Sequence, residues 1–104
     1  MKVLLFHIGR DRYGLPLAGI VRVLPLLELK QLPLTPDYVA GLMDLHGTPV
    51  PVIDLSRLAG LAPAALQFDT RIIVVDYHAP GGNRHALGLM ASRDIETYMK
   101  LFRL

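Results

Sequence analysis

The sequence predicts an all-β fold, mainly strands with short helices. Three observations point there. Apolar segments rich in β-branched residues recur at spacings of roughly ten residues, glycine and proline clusters separate them, and helix signals are confined to short stretches. Val3 to Ile8 reads as the first strand, and Gly9-Arg10-Asp11-Arg12 turns the chain back into Tyr13 to Leu17, a hairpin. Ala18 to Val23 fits a brief helical turn or a strand; in a helix Ile20 and Val23 would share a face. Leu24 to Lys30 alternates imperfectly, and Pro25 places it at an edge or a bend. Thr35-Pro36-Asp37 is expected to open one helical turn through Ala40.

Residues 41–46 and 48–53 read as two strands joined near Gly47. Asp54 to Gly60 reads as a short helix, with Asp54 as its N-cap and Gly60 as its stop. Leu61 to Asp69 is a loop around Pro63. Arg71 to Tyr77 is the clearest strand, an unbroken β-branched run of the kind buried on both sides. Pro80-Gly81-Gly82-Asn83 is a turn, and His85 to Met90 returns as the second arm of a hairpin. Ile95 to Leu104 fits a last strand and an amphipathic helical turn equally.

A chain of 104 residues has the length of a single domain. Its apolar share is 52%, yet no apolar run approaches the ~20 residues of a membrane span. Met1 to Phe6 opens like a signal peptide, but His7, Gly9, Arg10, Asp11 and Arg12 cut the apolar core short. A cytoplasmic protein is expected, without membrane insertion and with surplus apolar surface for a partner. The absence of cysteine removes disulfides, thiol catalysis and cysteine zinc sites. Net charge is +2, and the 11 basic residues are scattered. They make no phosphate-tracking stripe, which speaks against nucleic acid.

Two prolines, Pro49 and Pro51, sit inside the strand over 48–53. Proline donates no ladder hydrogen bond, and residues two apart point their amides to the same edge. One edge of this strand is therefore expected to be free, at a seam or rim, with Val50, Val52 and Leu55 packing inward.

The strand-and-turn order resembles the CheW-like domain family of bacterial chemotaxis-type signalling. Phe6-His7-Ile8-Gly9 and Tyr13-Gly14-Leu15 match its opening hairpin, followed by Ile20-Val21-Arg22-Val23 and Pro36 to Gly41. The strongest match is Gly41 to Leu55, "GLMDLHGTPVPVIDL", in which Gly41, Leu45, Gly47, Pro51, Val52, Asp54 and Leu55 fit the family form. Arg71 to Tyr77 and Ala86 to Leu89 look like the next family hairpin. Two departures stand out. Asp44 and His46 occupy positions where the family commonly has Asn and Arg, and the Arg is a frequent partner contact. Family domains also run further than residue 104. The resemblance implies one CheW-like domain over 1–104, a pair of small SH3-like β-barrels. Its closing C-terminal strands would be missing or supplied by another chain, as in a homodimer formed by strand exchange.

The residues offer little chemistry of their own. His7, His46, His78 and His85 make no metal-ligand motif, and a facing pair of His78 and His85 across their hairpin reads as surface. Ser56 and Ser92 lie in no nucleophile elbow, and Gly81-Gly82 lacks the context of a phosphate loop. No enzymatic activity, cofactor or metal is expected. The resemblance implies an adaptor that joins a chemoreceptor cytoplasmic tip to the regulatory domain of a histidine kinase. Its candidate contacts are Asp44, His46 and Gly47 on the partner-facing loop, Ile20 and Val23 in an apolar groove, and Arg22 and Arg57 as rim charges. A small β-barrel that binds nucleic acid is the alternative.

Overall fold

The computed structural model describes residues 3–8, 11–25, 27–61, 70–78 and 80–91, and the backbone of 96–98. β1 (Val3–Ile8) and β2 (Asp11–Pro16) form the first hairpin, in register from Val3↔Pro16 to Ile8↔Asp11. A 3-10 turn over Leu17–Gly19 leads into β3 (Ile20–Pro25), so the segment left open between turn and strand contains both. β4 (Val39–Leu45) and β5 (Thr48–Asp54) form the second hairpin, followed by α1 (Leu55–Leu58). β6 (Arg71–His78) and β7 (Arg84–Ala91) form the third, and β8 (Glu96–Tyr98) returns to the free side of β1. The strands make two sheets, β2-β1-β8 and β3-β6-β7-β5-β4, in which only the β5–β7 pair is parallel.

β6 forms the shared wall. Ile72 and Val74 point into a core with Met43, Val50, Val52 and Met90, inside the curl of the five-stranded sheet. Ile73 points the other way, into a second core with Leu4, Phe6, Leu55 and Ala91 against the three-stranded sheet. A strand buried on both faces has no polar alternate, which explains the unbroken apolar run. The all-β, two-body architecture expected from the sequence is present.

Local signals set the helix. Asp54 Oδ1 accepts from the backbone N–H of Ser56 at 3.0 Å and of Arg57 at 3.3 Å. At the other end Gly60 takes φ +79°, while Leu61 N–H donates to Ser56 C=O and Gly60 N–H to Arg57 C=O. Those two bonds are the Schellman pattern, which needs a left-handed residue at the position of Gly60.

The prolines lie where β5 has one neighbour. β4 pairs with β5 from Thr48 to Ile53, whereas β7 joins only at Val52, Ile53 and Asp54. Pro49 and Pro51 therefore leave their missing N–H groups on an edge that nothing among the described residues pairs at that height. Val50 and Val52 are buried in the first core and Leu55 in the second.

One expectation is corrected and two are made more specific. The helical turn over 35–40 is a β-turn in which Val39 N–H reaches Pro36 C=O at 3.0 Å. Tyr38 C=O is already taken by Asp54 N–H at 2.8 Å, which draws the chain straight into β4. Pro25 stands at both an edge and an end, since β3 is an outer strand of its sheet and stops there, and Lys30 makes an isolated bridge to Leu42. His78 and His85 do not face each other, because the register sets His78 opposite Arg84 and His85 opposite Tyr77, on opposite faces. Most of the Leu61 to Asp69 loop and all of 99–104 lie outside the described residues; within the last segment, 96–98 is strand.

Candidate functional site

The β4–β5 turn is built on two left-handed residues. Leu45 pairs with Thr48, leaving a two-residue turn in which His46 has φ +52° and Gly47 φ +85°. Two positive φ values are the requirement of a type I′ hairpin turn, whose twist matches that of its strands. Glycine is at ease there; histidine is held there at a cost of about 1–2 kcal/mol. Asp44 braces the turn, its Oδ1 accepting the Gly47 N–H at 2.8 Å.

Arg22 reaches the same turn from far off in sequence. Its Nη1 lies 2.9 Å from His46 Nε2. A guanidinium only donates, so Nε2 must accept and the ring proton sits on Nδ1. β3 and β4 are the two ends of the five-stranded sheet, so this contact joins opposite edges. The sheet curls until its edges meet, and a side-chain pair closes the seam at its mouth.

The seven predicted contact residues divide into three groups. Arg22, Asp44, His46 and Gly47 gather at the turn, all exposed. Ile20 and Val23 lie on the opposite face of β3, because Ile20 pairs with Val75 and Val23 with Ile73 across a bulge at Val21. Ile20 is half-buried against the second core, whereas Val23 is 40% exposed. Arg57 stands apart on α1, 3.3 Å from Asp37 Oδ2, with both side chains largely in solvent. An exposed pair of that kind contributes well under about 1 kcal/mol.

Sequence reasoning missed three features. Val21, looped out by the bulge, is 54% exposed beside Val23. A shallow hollow of about 340 Å³ lies along the outer side of β4–β5, lined by Lys30, Leu42, Met43, Asp44, Gly47 and Pro49. It exists because Lys30 exchanges hydrogen bonds with Leu42 in both directions, each 2.8 Å. That approach needs Gly41, where a Cβ would meet Lys30 O at 2.7 Å. The third feature is Leu34, fully exposed in a Pro33–Leu34 turn with φ +60°. A left-handed leucine has no signature in sequence, because leucine carries no preference for that region. Among the described residues no three His, Cys, Asp or Glu side chains are grouped to hold a metal. No described helix is long and apolar enough to cross a membrane.

Two sheets packed around two cores on either side of β6, with exposed turns and a hollow at their margins, define an all-β domain. Residues 2–97 match the CheW-like domain family, and the chain belongs to it. A chemotaxis protein CheW of Helicobacter pylori is 33% identical over 73 residues, covering 70% of this chain and 44% of that protein. Protein FrzA of Myxococcus xanthus is 33% identical over 69 residues, 66% of this chain and 43% of FrzA. The crystal structure of the scaffolding protein TtCheW from Thermoanaerobacter tengcongensis aligns with a TM-score of 0.76 at 26% identity, covering 92% of this chain and 64% of that one. The chain spans less than half the length of these curated relatives.

Proposed function

We propose that the chain is a non-catalytic adaptor of a chemotaxis-type pathway in the cytoplasm. It holds a chemoreceptor cytoplasmic tip and the regulatory domain of a histidine kinase side by side. The observation that carries this reading is the division of the candidate residues across β3. Arg22 joins the His46–Gly47 turn on one face, and Val23 lies with Ile20 on the other. An adaptor must hold two partners at once, and two surfaces on opposite sides of one edge strand allow that without overlap. Each contact can be weak, since an array supplies high effective concentration.

The turn offers a guanidinium and a backbone in fixed orientation, which suits a partner carboxylate. The apolar face offers aliphatic side chains, which suit an amphipathic helix. Strand pairing between copies belongs to the same reading: the outer edges of β2, β3 and β8 pair with nothing among the described residues. The nucleic-acid alternative gains no support. Among the described residues the exposed cations Arg12, Arg22, Lys30, Arg57 and Arg84 sit on β2, on β3, between β3 and β4, on α1 and on β7, and follow no common strand or helix.

Calorimetric titration with each partner tests the proposal. Arg22→Glu should weaken one partner at least tenfold and leave the other within twofold, and Val23→Lys should do the reverse. Loss of both partners in either variant would mean one shared surface and would sink the two-sided reading.

A further inference from the structure

We propose that the Arg22–His46 contact is a latch on the seam between β3 and β4, closed while the His46 ring is neutral and opened by acid. Arg22 Nη1 lies 2.9 Å from His46 Nε2. A guanidinium carries only donors, and so does an imidazolium. The contact therefore exists in one protonation state of the ring. A proton added to Nε2 takes the lone pair that Arg22 uses and leaves two cations facing each other. Histidine is the side chain that ordinarily changes charge between about pH 5 and 8. Among the described residues no ladder joins β3 to β4, which stand at opposite ends of their sheet, so the latch has no strand pairing beneath it.

The charges around the ring set what the latch does when it opens. On the same hairpin, Asp44 Oδ1 accepts the Gly47 N–H at 2.8 Å, so a carboxylate already rests on the turn that carries the ring. Lys30 lines the hollow together with Asp44 and Gly47. β5 brings Thr48 and Pro49, neither of which titrates. On β6 and β7 the face of Val74, the cross-strand partner of Arg22, continues into Asp76, His78 and Arg84, all exposed. Acid thus adds a cation beside Asp44 and frees the Arg22 Nη1. A guanidinium released next to an imidazolium binds a carboxylate better than one already donating to its neighbour. Resting on the adaptor reading, the partner held at this turn is gripped more tightly in acid.

The residue type and its place both suit a switch. A seam that needed only an acceptor could take it from an amide at every pH. His46 also holds φ +52°, a backbone that asparagine tolerates more readily. An imidazole here supplies an acceptor that acid removes. Arg22 and His46 are both exposed, so protons reach the ring without any opening of the chain. Neither side chain belongs to either core, and the latch can open while both cores stay packed.

Urea unfolding of the chain alone, at about pH 8 and about pH 5, tests the latch. At the higher pH, Arg22→Ala should lower the folding equilibrium constant roughly fivefold more in the native background than in His46→Gly. At the lower pH the two backgrounds should respond equally. In His46→Gln, whose amide accepts at either pH, the effect of Arg22→Ala should not change with pH. The titrations of His7, His78 and His85 are common to all the variants and cancel in the comparison. Long-range 1H–15N spectra at the higher pH should place the His46 ring proton on Nδ1. A coupling that does not change with pH, a ring proton on Nε2, or a His46→Gln background as pH-sensitive as the native one each overturns the proposal. In calorimetric titration, acid should tighten the partner that Arg22→Glu weakens by about threefold more for the native chain than for His46→Gln. An equal response of the two chains overturns the proposal as well. If neither partner binds at any pH while the coupling follows pH, the adaptor reading fails and the latch stands.

Discussion

Replacing His46 by glycine separates two effects that the native residue combines. His46 holds φ at +52°, and moving an L-residue out of that region relieves about 1–2 kcal/mol. Glycine gives back about 0.5–1 kcal/mol of this through its greater freedom in the unfolded chain, which leaves a net gain of about 0.5 kcal/mol. Against it stands the Arg22 Nη1–His46 Nε2 contact at 2.9 Å. A hydrogen bond to a charged group is worth about 1.5–3 kcal/mol when sheltered. Both side chains are exposed here, so about 1 kcal/mol is the appropriate figure. His46→Gly should therefore destabilise the native chain by about 0.5 kcal/mol. In an Arg22→Ala background the contact is already gone, and the same replacement should stabilise by about 0.5 kcal/mol. The sign reverses with background, and the coupling energy is about 1 kcal/mol. Urea unfolding followed by far-UV circular dichroism on the four proteins measures it; each kcal/mol also moves Tm by roughly 4–8 °C at this chain length. A coupling below about 0.3 kcal/mol, the additivity expected of independent sites, would falsify the seam contact and the orientation of Arg22 that rests on it.

Two further outcomes follow from close contacts. Gly41→Ala places a Cβ 2.7 Å from Lys30 O, a backbone atom that cannot swing aside. Chemical denaturation should show a loss of about 2 kcal/mol or more, in the range of overpacked cores, with the Lys30–Leu42 bridge broken. Asp54→Ala removes the acceptor of two helix N–H groups at a residue only 4% exposed. The loss should be about 1–2 kcal/mol by the same measurement, and Asp54→Ser should recover more than half of it.

What was legible in the sequence follows the range of the forces involved. The helix over 55–58 was readable because Asp54 and Gly60, its cap and its stop, act within a few residues of it. β6 was readable because burial on both faces leaves an unbroken β-branched run. The proline pair correctly announced a free edge on β5, since a missing N–H is a local fact wherever the strand lies. The Arg22–His46 contact was not readable as a pair, although both residues were singled out, because 24 residues separate them and only the curl of the sheet joins them. Ile20 and Val23 do share a face, but through the bulge at Val21 in a strand and not through the helical spacing that groups them in the sequence. His78 and His85 are on the surface as expected, but whether they faced each other was not readable, because hairpin register depends on turn geometry, where one residue more or less flips every side chain.

The seam explains why the contact surface gathers where it does. The five-stranded sheet curls, yet its end strands β3 and β4 share no ladder among the described residues. Edge strands left in that state invite unwanted pairing, and proteins blunt them with charge, proline and bulges. This chain uses all three at the seam: Arg22 and the Val21 bulge on β3, Pro25 at its end, and Lys30 bridging the outer side of β4. Because side chains close the seam, replacing one alters what the surface presents without dismantling a hydrogen-bond ladder. The two cores can remain fixed while the seam varies, and that separation is what the adaptor role proposed above requires.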